Sequence, residues 1–104
     1  MSPDDYCAEK VKASASSFTA GFRLLDAPRR QALNALYAFC REVDDVVDEC
    51  HEPAVASAKL DWWRTEIESL DGGQPSHPVT LALAQARKRF DLPVEQIAEI
   101  IDGM

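Results

Sequence analysis

The sequence predicts an all-α protein. Two observations carry this: apolar residues recur at helical spacing through most of the chain, and proline or glycine falls between the periodic segments. No stretch alternates apolar and polar residues as a half-buried strand would. The 104 residues suffice for one small domain, with 46% apolar and 28% charged residues, a globular composition.

Each element follows from its start and stop signals. Ser2-Pro3-Asp4-Asp5 opens a short helix reaching about Ala13, with a serine cap, proline in the first turn and acids at the positive end of the dipole. A second segment, about Ser17 to Leu25, holds Phe18, Phe22, Leu24 and Leu25 and is weakened by Gly21. Asp26-Ala27-Pro28 begins the strongest helix, about Pro28 to Cys50, and Pro53 begins the next, running to about Leu70. Asp71-Gly72-Gly73-Gln74-Pro75 is a loop. Helices from about Pro78 to Phe90 and from after Pro93 to about Asp102 complete five to six in all. Short connections make neighbours antiparallel. On the fourth segment Leu60, Trp63, Ile67 and Leu70 share one face; with Trp62 they read as packing residues.

Charge and cysteine usage exclude several classes. A net charge of −7 leaves no basic surface for a nucleic-acid backbone and no polybasic attraction to anionic lipid. Cys7, Cys40 and Cys50 are odd in number and lack C-x-x-C spacing, which fits reduced thiols in a cytosol. His51 and His77 are isolated in sequence, and the Cys50-His51 pair reads as a surface histidine beside a part-buried thiol. No apolar run is long enough to span a bilayer, and the first residues lack the features of a signal peptide.

The chemistry sits on the longest helix. Ala32, Leu36, Phe39, Cys40, Val43, Val46 and Val47 form its apolar arc. Tyr37, Arg41, Asp44 and Asp48 are spaced i, i+4, i+7, i+11 in a stripe beside it, with Asp45 at the stripe's edge. Asp44 and Asp48 lie one turn apart, so their carboxylates point the same way and repel. A divalent cation relieves that repulsion, and hard oxygen donors favour Mg2+ over zinc. Arg41, one turn earlier, can pair with a phosphate oxygen. From spacing alone a second reading stands beside this: a solvated face laced by Arg41–Asp44 or Arg41–Asp45 ion pairs.

The run Tyr37-Ala-Phe-Cys-Arg41-x-x-Asp44-Asp45-x-Val47-Asp48-Glu49, preceded by Arg29-Arg30, resembles the first aspartate-rich region of squalene/phytoene synthases. Ser16-Ser17-Phe18, Trp63-Arg64-x-Glu66, Gly73-x-Pro75-x-His77-Pro78-Val79 and Phe90-x-Leu92-Pro93 continue the resemblance in order over nearly the whole chain. Within that family the sequence is most similar to bacterial presqualene diphosphate synthases of hopanoid and squalene biosynthesis.

The resemblance implies that residues 1–104 are the N-terminal part of a single isoprenoid-synthase-type helical bundle whose C-terminal part is absent, and that the complete protein condenses two farnesyl diphosphates head to head to presqualene diphosphate. It implies Mg2+ held by Asp44 and Asp48 with Asp45 in support, diphosphate contacts from Ser17 and Arg41, and Tyr37 beside the ionising centre. Phe18 and Phe22 would line the lipid pocket or serve as ordinary core aromatics. NADPH enters only if a reductive second step follows. Peripheral membrane contact fits such greasy products, although no residue specifies it.

This sequence departs from the resemblance at Thr19-Ala20-Gly21, where relatives often carry aromatics, and it has no second aspartate-rich motif. The chain alone is therefore expected to be inactive and to self-associate through apolar surface left open by an incomplete bundle. The competing reading is a non-catalytic helical binding or assembly module of the same family.

Overall fold

The computed structural model describes residues 2–14, 25–91 and 93–102, and every regular element among them is helical. Helix α1 spans Pro3–Ser14, α2 Ala27–Glu49, α3 Pro53–Glu68, α4 Pro78–Arg87 and α5 Val94–Asp102, with a 3-10 turn at Ser69–Asp71 after α3. The expected segment from about Ser17 to Leu25 lies almost wholly outside the described residues, and with it Ser17, Phe18 and Phe22.

The helix starts follow their sequence signals. At α1 the Ser2 hydroxyl accepts the Asp5 N–H at 3.0 Å, a side-chain cap. Pro28, Pro53 and Pro78 occupy the first turns of α2, α3 and α4, where a missing N–H costs nothing and the fixed φ suits a helix. Helix α4 ends at Arg87, short of the expected Phe90, because the N–H groups of Lys88 and Arg89 turn to carbonyls three residues back. After the 3-10 turn, Gly72 adopts φ 133°, and the Gly73 N–H donates to the Ser69 carbonyl at 2.9 Å.

Helix α2 packs against α1 and α4, with α3 alongside, while α5 docks on α3. The core gathers Cys7 from α1, Ala35, Ala38, Phe39 and Val43 from α2, Trp63 and Ile67 from α3, Val79 and Leu83 from α4, and Ile97 and Ile101 from α5. Phe39 is fully buried and meets Trp63 edge to face at 5.8 Å between centroids. Leu60 and Leu70 pack against this cluster, as their shared face with Trp63 and Ile67 predicts.

Two residues assigned to packing are placed otherwise. Val47 is 45% exposed, because the buried arc of α2 swings through Ala35, Ala38 and Phe39 and leaves Val47 on the far side. Trp62 is also 45% exposed, one position off the buried face of α3, though its ring still packs edge to face on Trp63 at 5.0 Å between centroids.

Candidate functional site

The aspartates of the stripe on helix α2 differ in their partners. Tyr37, Arg41 and Asp44 are half-buried and Asp48 is exposed. Neither Asp44 nor Asp48 makes a hydrogen bond or ion pair among the described residues. Asp45 differs. Arg41 Nη2 donates to its Oδ1 at 2.8 Å, and Lys10 Nζ from α1 donates to its Oδ2 at 2.9 Å. The hydrogen bond from Lys10 leads in holding the Asp45 carboxyl below its ordinary range. Lys10 also lies 3.3 Å from Glu42, which accepts the Tyr6 hydroxyl at 2.7 Å.

Tyr6, Lys10, Arg41, Glu42 and Asp45 therefore form a lattice clamping α1 to α2. Burial raises the Tyr6 phenol to about 12, with its bond to Glu42 adding to the shift. Burial alone would lower the Lys10 ammonium; its bonds to Asp45 and Glu42 outweigh that and leave it raised.

The donor set fits Mg2+ at Asp44 and Asp48. Both offer hard carboxylate oxygens one turn apart on an open helix face. Asp45 does not add a third, since each of its oxygens is taken by a cation. Among the described residues no three His, Cys, Asp or Glu side chains are grouped to hold a metal ion on their own. Mg2+ bound here would complete its shell from water and phosphate.

A second polar centre, at Glu66 and His77, was not read from the sequence. Glu66 is buried on α3 and accepts the Ser76 N–H at 2.6 Å, the His77 N–H at 2.7 Å and the Thr80 hydroxyl at 2.7 Å. It thereby caps the start of α4 from a neighbouring helix. Burial opposes its ionisation, but these donors prevail and hold the carboxyl below its ordinary value. His77, isolated in sequence, is half-buried at the cap of α4, where its Nδ1 accepts the Val79 N–H at 3.1 Å. Its ring meets Trp63 at 4.8 Å and Tyr6 at 5.4 Å between centroids. Burial lowers its pKa.

Beside this cluster an open groove of about 520 Å3 is lined by Glu42, Asp45 and Glu49 of α2, by Lys10 and Lys59, and by Trp62, Trp63 and His77. It lies on the clamped side of Asp45. The sequence signal for this centre was the acid at Glu66 followed by a helix start at His77-Pro78 with no capping hydroxyl of its own.

Among the described residues the structure is all-α, which is consistent with part of an isoprenoid-synthase-type bundle. A family model described as squalene/phytoene synthase matches residues 11–104. A phytoene synthase of Mycobacterium bovis is 40% identical over 93 residues, covering 89% of this chain and 30% of that protein. One from Arthrospira platensis is 31% identical over 99 residues, covering 95% and 32%, and a chloroplastic one from Zea mays 31% over 100 residues, covering 96% and 24%. No solved structure matches the chain. The chain belongs to the squalene/phytoene synthase family and spans about 30% of the length of the first of these relatives.

Proposed function

We propose that this chain supplies one diphosphate-holding side of a head-to-head prenyl synthase, with Asp44 and Asp48 as the Mg2+ ligands. The observation that carries the reading is the contrast along one turn of α2: Asp45 is neutralised by Lys10 and Arg41, while Asp44 and Asp48 stay open. Two unpaired parallel carboxylates cost a few tenths of a kcal/mol on a helix surface, a cost that a bound cation removes.

When bound, Mg2+ would draw charge from the diphosphate and ease its departure. Arg41 is steadied by Asp45 through one nitrogen and keeps other N–H groups for a phosphate oxygen. Tyr37, one turn nearer the start of α2, would lend its ring face to the developing allylic cation. In the reaction the C–O bond to one diphosphate breaks, the double bond of a second prenyl diphosphate attacks, and loss of a proton closes a cyclopropane. Presqualene diphosphate is the product if both substrates are farnesyl diphosphate; the names of the relatives favour phytoene.

Calorimetry with Mg2+ and a non-ionising farnesyl or geranylgeranyl thiodiphosphate tests the site in the 104-residue chain. Binding should require Mg2+ and fall at least about tenfold in Asp44→Asn/Asp48→Asn, an order set by losing a charged contact. Unchanged binding in that variant would make the stripe a solvated face. The chain alone should not release diphosphate from farnesyl diphosphate, and Mg2+-dependent release would overturn that expectation.

A further inference from the structure

On α1, Cys7 and Val11 lie one turn apart and are buried in the core. Tyr6 and Lys10, each one position earlier, share the neighbouring stripe and reach Glu42 and Asp45 on α2. Lys10 keeps 27% of its side chain exposed and Asp45 23%, so this pair is held and shielded, unlike a solvated surface pair. Arg41 has two acids within reach on its own helix, Asp44 three residues on and Asp45 four residues on. It bonds Asp45, through one nitrogen. A carboxylate with both oxygens open would take two guanidinium N–H groups in a fork. Here Lys10 Nζ sits on Oδ2 at 2.9 Å, and Arg41 is left with Oδ1. The two cations Lys10 and Arg41 face the two acids Glu42 and Asp45, so these four side chains are neutral together beside Asp44 and Asp48. Without Lys10 they would carry one negative charge, and Asp45, three residues before Asp48, would be open to join it at a cation.

We propose that Lys10 is a positioning residue for the diphosphate site: by holding the second oxygen of Asp45, it keeps Arg41 available for phosphate and keeps Asp45 out of the Mg2+ shell. Lys10 acts through Asp45 and touches neither ligand. Removing it has effects of opposite sign on the two ligands. A freed Asp45 either forks with Arg41 or joins the cation. The first takes N–H donors from the phosphate, the second takes a coordination place from it, and the extra negative charge repels the anion in both cases. The same freed carboxylate strengthens the binding of a bare divalent cation, whose affinity rises with the charge of its ligands. A role in helix packing alone would weaken both ligands together. The inference rests on the diphosphate site proposed above, and the two fail separately. If Asp44→Asn/Asp48→Asn leaves Mg2+ binding unchanged, both are overturned; if that variant loses binding and Lys10→Met shows no opposite shifts, the role of Lys10 alone is overturned.

Calorimetry on the 104-residue chain reads Mg2+ alone, then farnesyl thiodiphosphate at saturating Mg2+. Lys10→Met keeps the packed stem and removes the charge. It should bind Mg2+ about threefold tighter or more, and the thiodiphosphate about tenfold more weakly. Lys10→Gln keeps a donor for Asp45 without the charge, and its shifts should have the same signs and be smaller. Lys10→Arg should restore both affinities. Lys12→Met removes the same charge from an exposed position on α1 and should shift neither. Adding Asp45→Asn to Lys10→Met should cancel the gain for Mg2+. A parallel loss of both ligands, no change in either, an equal effect of Lys12→Met, or a gain for Mg2+ that survives Asp45→Asn would each overturn the proposal.

Discussion

Asp44, Asp45 and Asp48 are one residue type within a single turn of helix, yet their surroundings give them different work. Asp45→Asn removes an acceptor shared by two cations on part-buried side chains and should lower stability by about 1 kcal/mol in urea denaturation. Asp44→Asn should leave stability unchanged or slightly higher, since it relieves repulsion with Asp48. The same experiment on Glu66→Ala should show a loss of about 2–4 kcal/mol, because three donors lose their acceptor in a buried place. Acid should find the same residue. Glu66 has a folded-state pKa below its ordinary 4.5, so its contribution is full above that value and disappears as pH falls through the folded one. His77 works in the same direction from higher pH. With its pKa lowered from 6.5, protons bind the unfolded chain first, and stability begins to decline as pH drops below 6.5. Denaturation midpoints between pH 7 and 3 should therefore fall in two stages, and Glu66→Gln should flatten the lower one.

At the scale of elements, sequence was a good guide wherever the signal was local. Pro28 and Pro53 located the starts of α2 and α3 to within a residue, and Ser2 caps α1 as its position suggests. Carboxylates one turn apart at Asp44 and Asp48 were legible because helical spacing alone determines their common direction. The roles of Asp45 and Glu66 were not, because their partners come from other elements: Lys10 is 35 residues before Asp45, and Thr80 is 14 after Glu66. Only packing brings such groups together. The exposure of Val47 was misjudged for the same reason, since an apolar arc does not say which of its edges a neighbouring helix will cover. The turn between α3 and α4 offers a test of local backbone. A Cβ at Gly72 would touch nothing within 4 Å, so Gly72→Ala isolates the conformational cost of φ 133°, about 1–2 kcal/mol in a denaturation midpoint.

At the scale of the whole chain, one small core holds the five helices of the described residues. Phe39 lies at its centre on α2 and faces Trp63 of α3, so Phe39→Ala should cost about 3–5 kcal/mol. That is large against the marginal stability of folded chains, and loss of cooperative thermal unfolding would register it. No helix among the described residues is long and apolar enough to cross a membrane. The fully buried Cys7 has a further consequence. Burial raises its thiol to about 12, so the native chain hides both the sulfur and its reactive thiolate from alkylating reagents. Cys40 and Cys50 are only half-buried. A reagent should therefore modify Cys7 last, at a rate set by how often α1 lifts from α2. The chain thus carries its own clock for the opening of its first helix, readable by mass spectrometry as the mass that the reagent adds at Cys7.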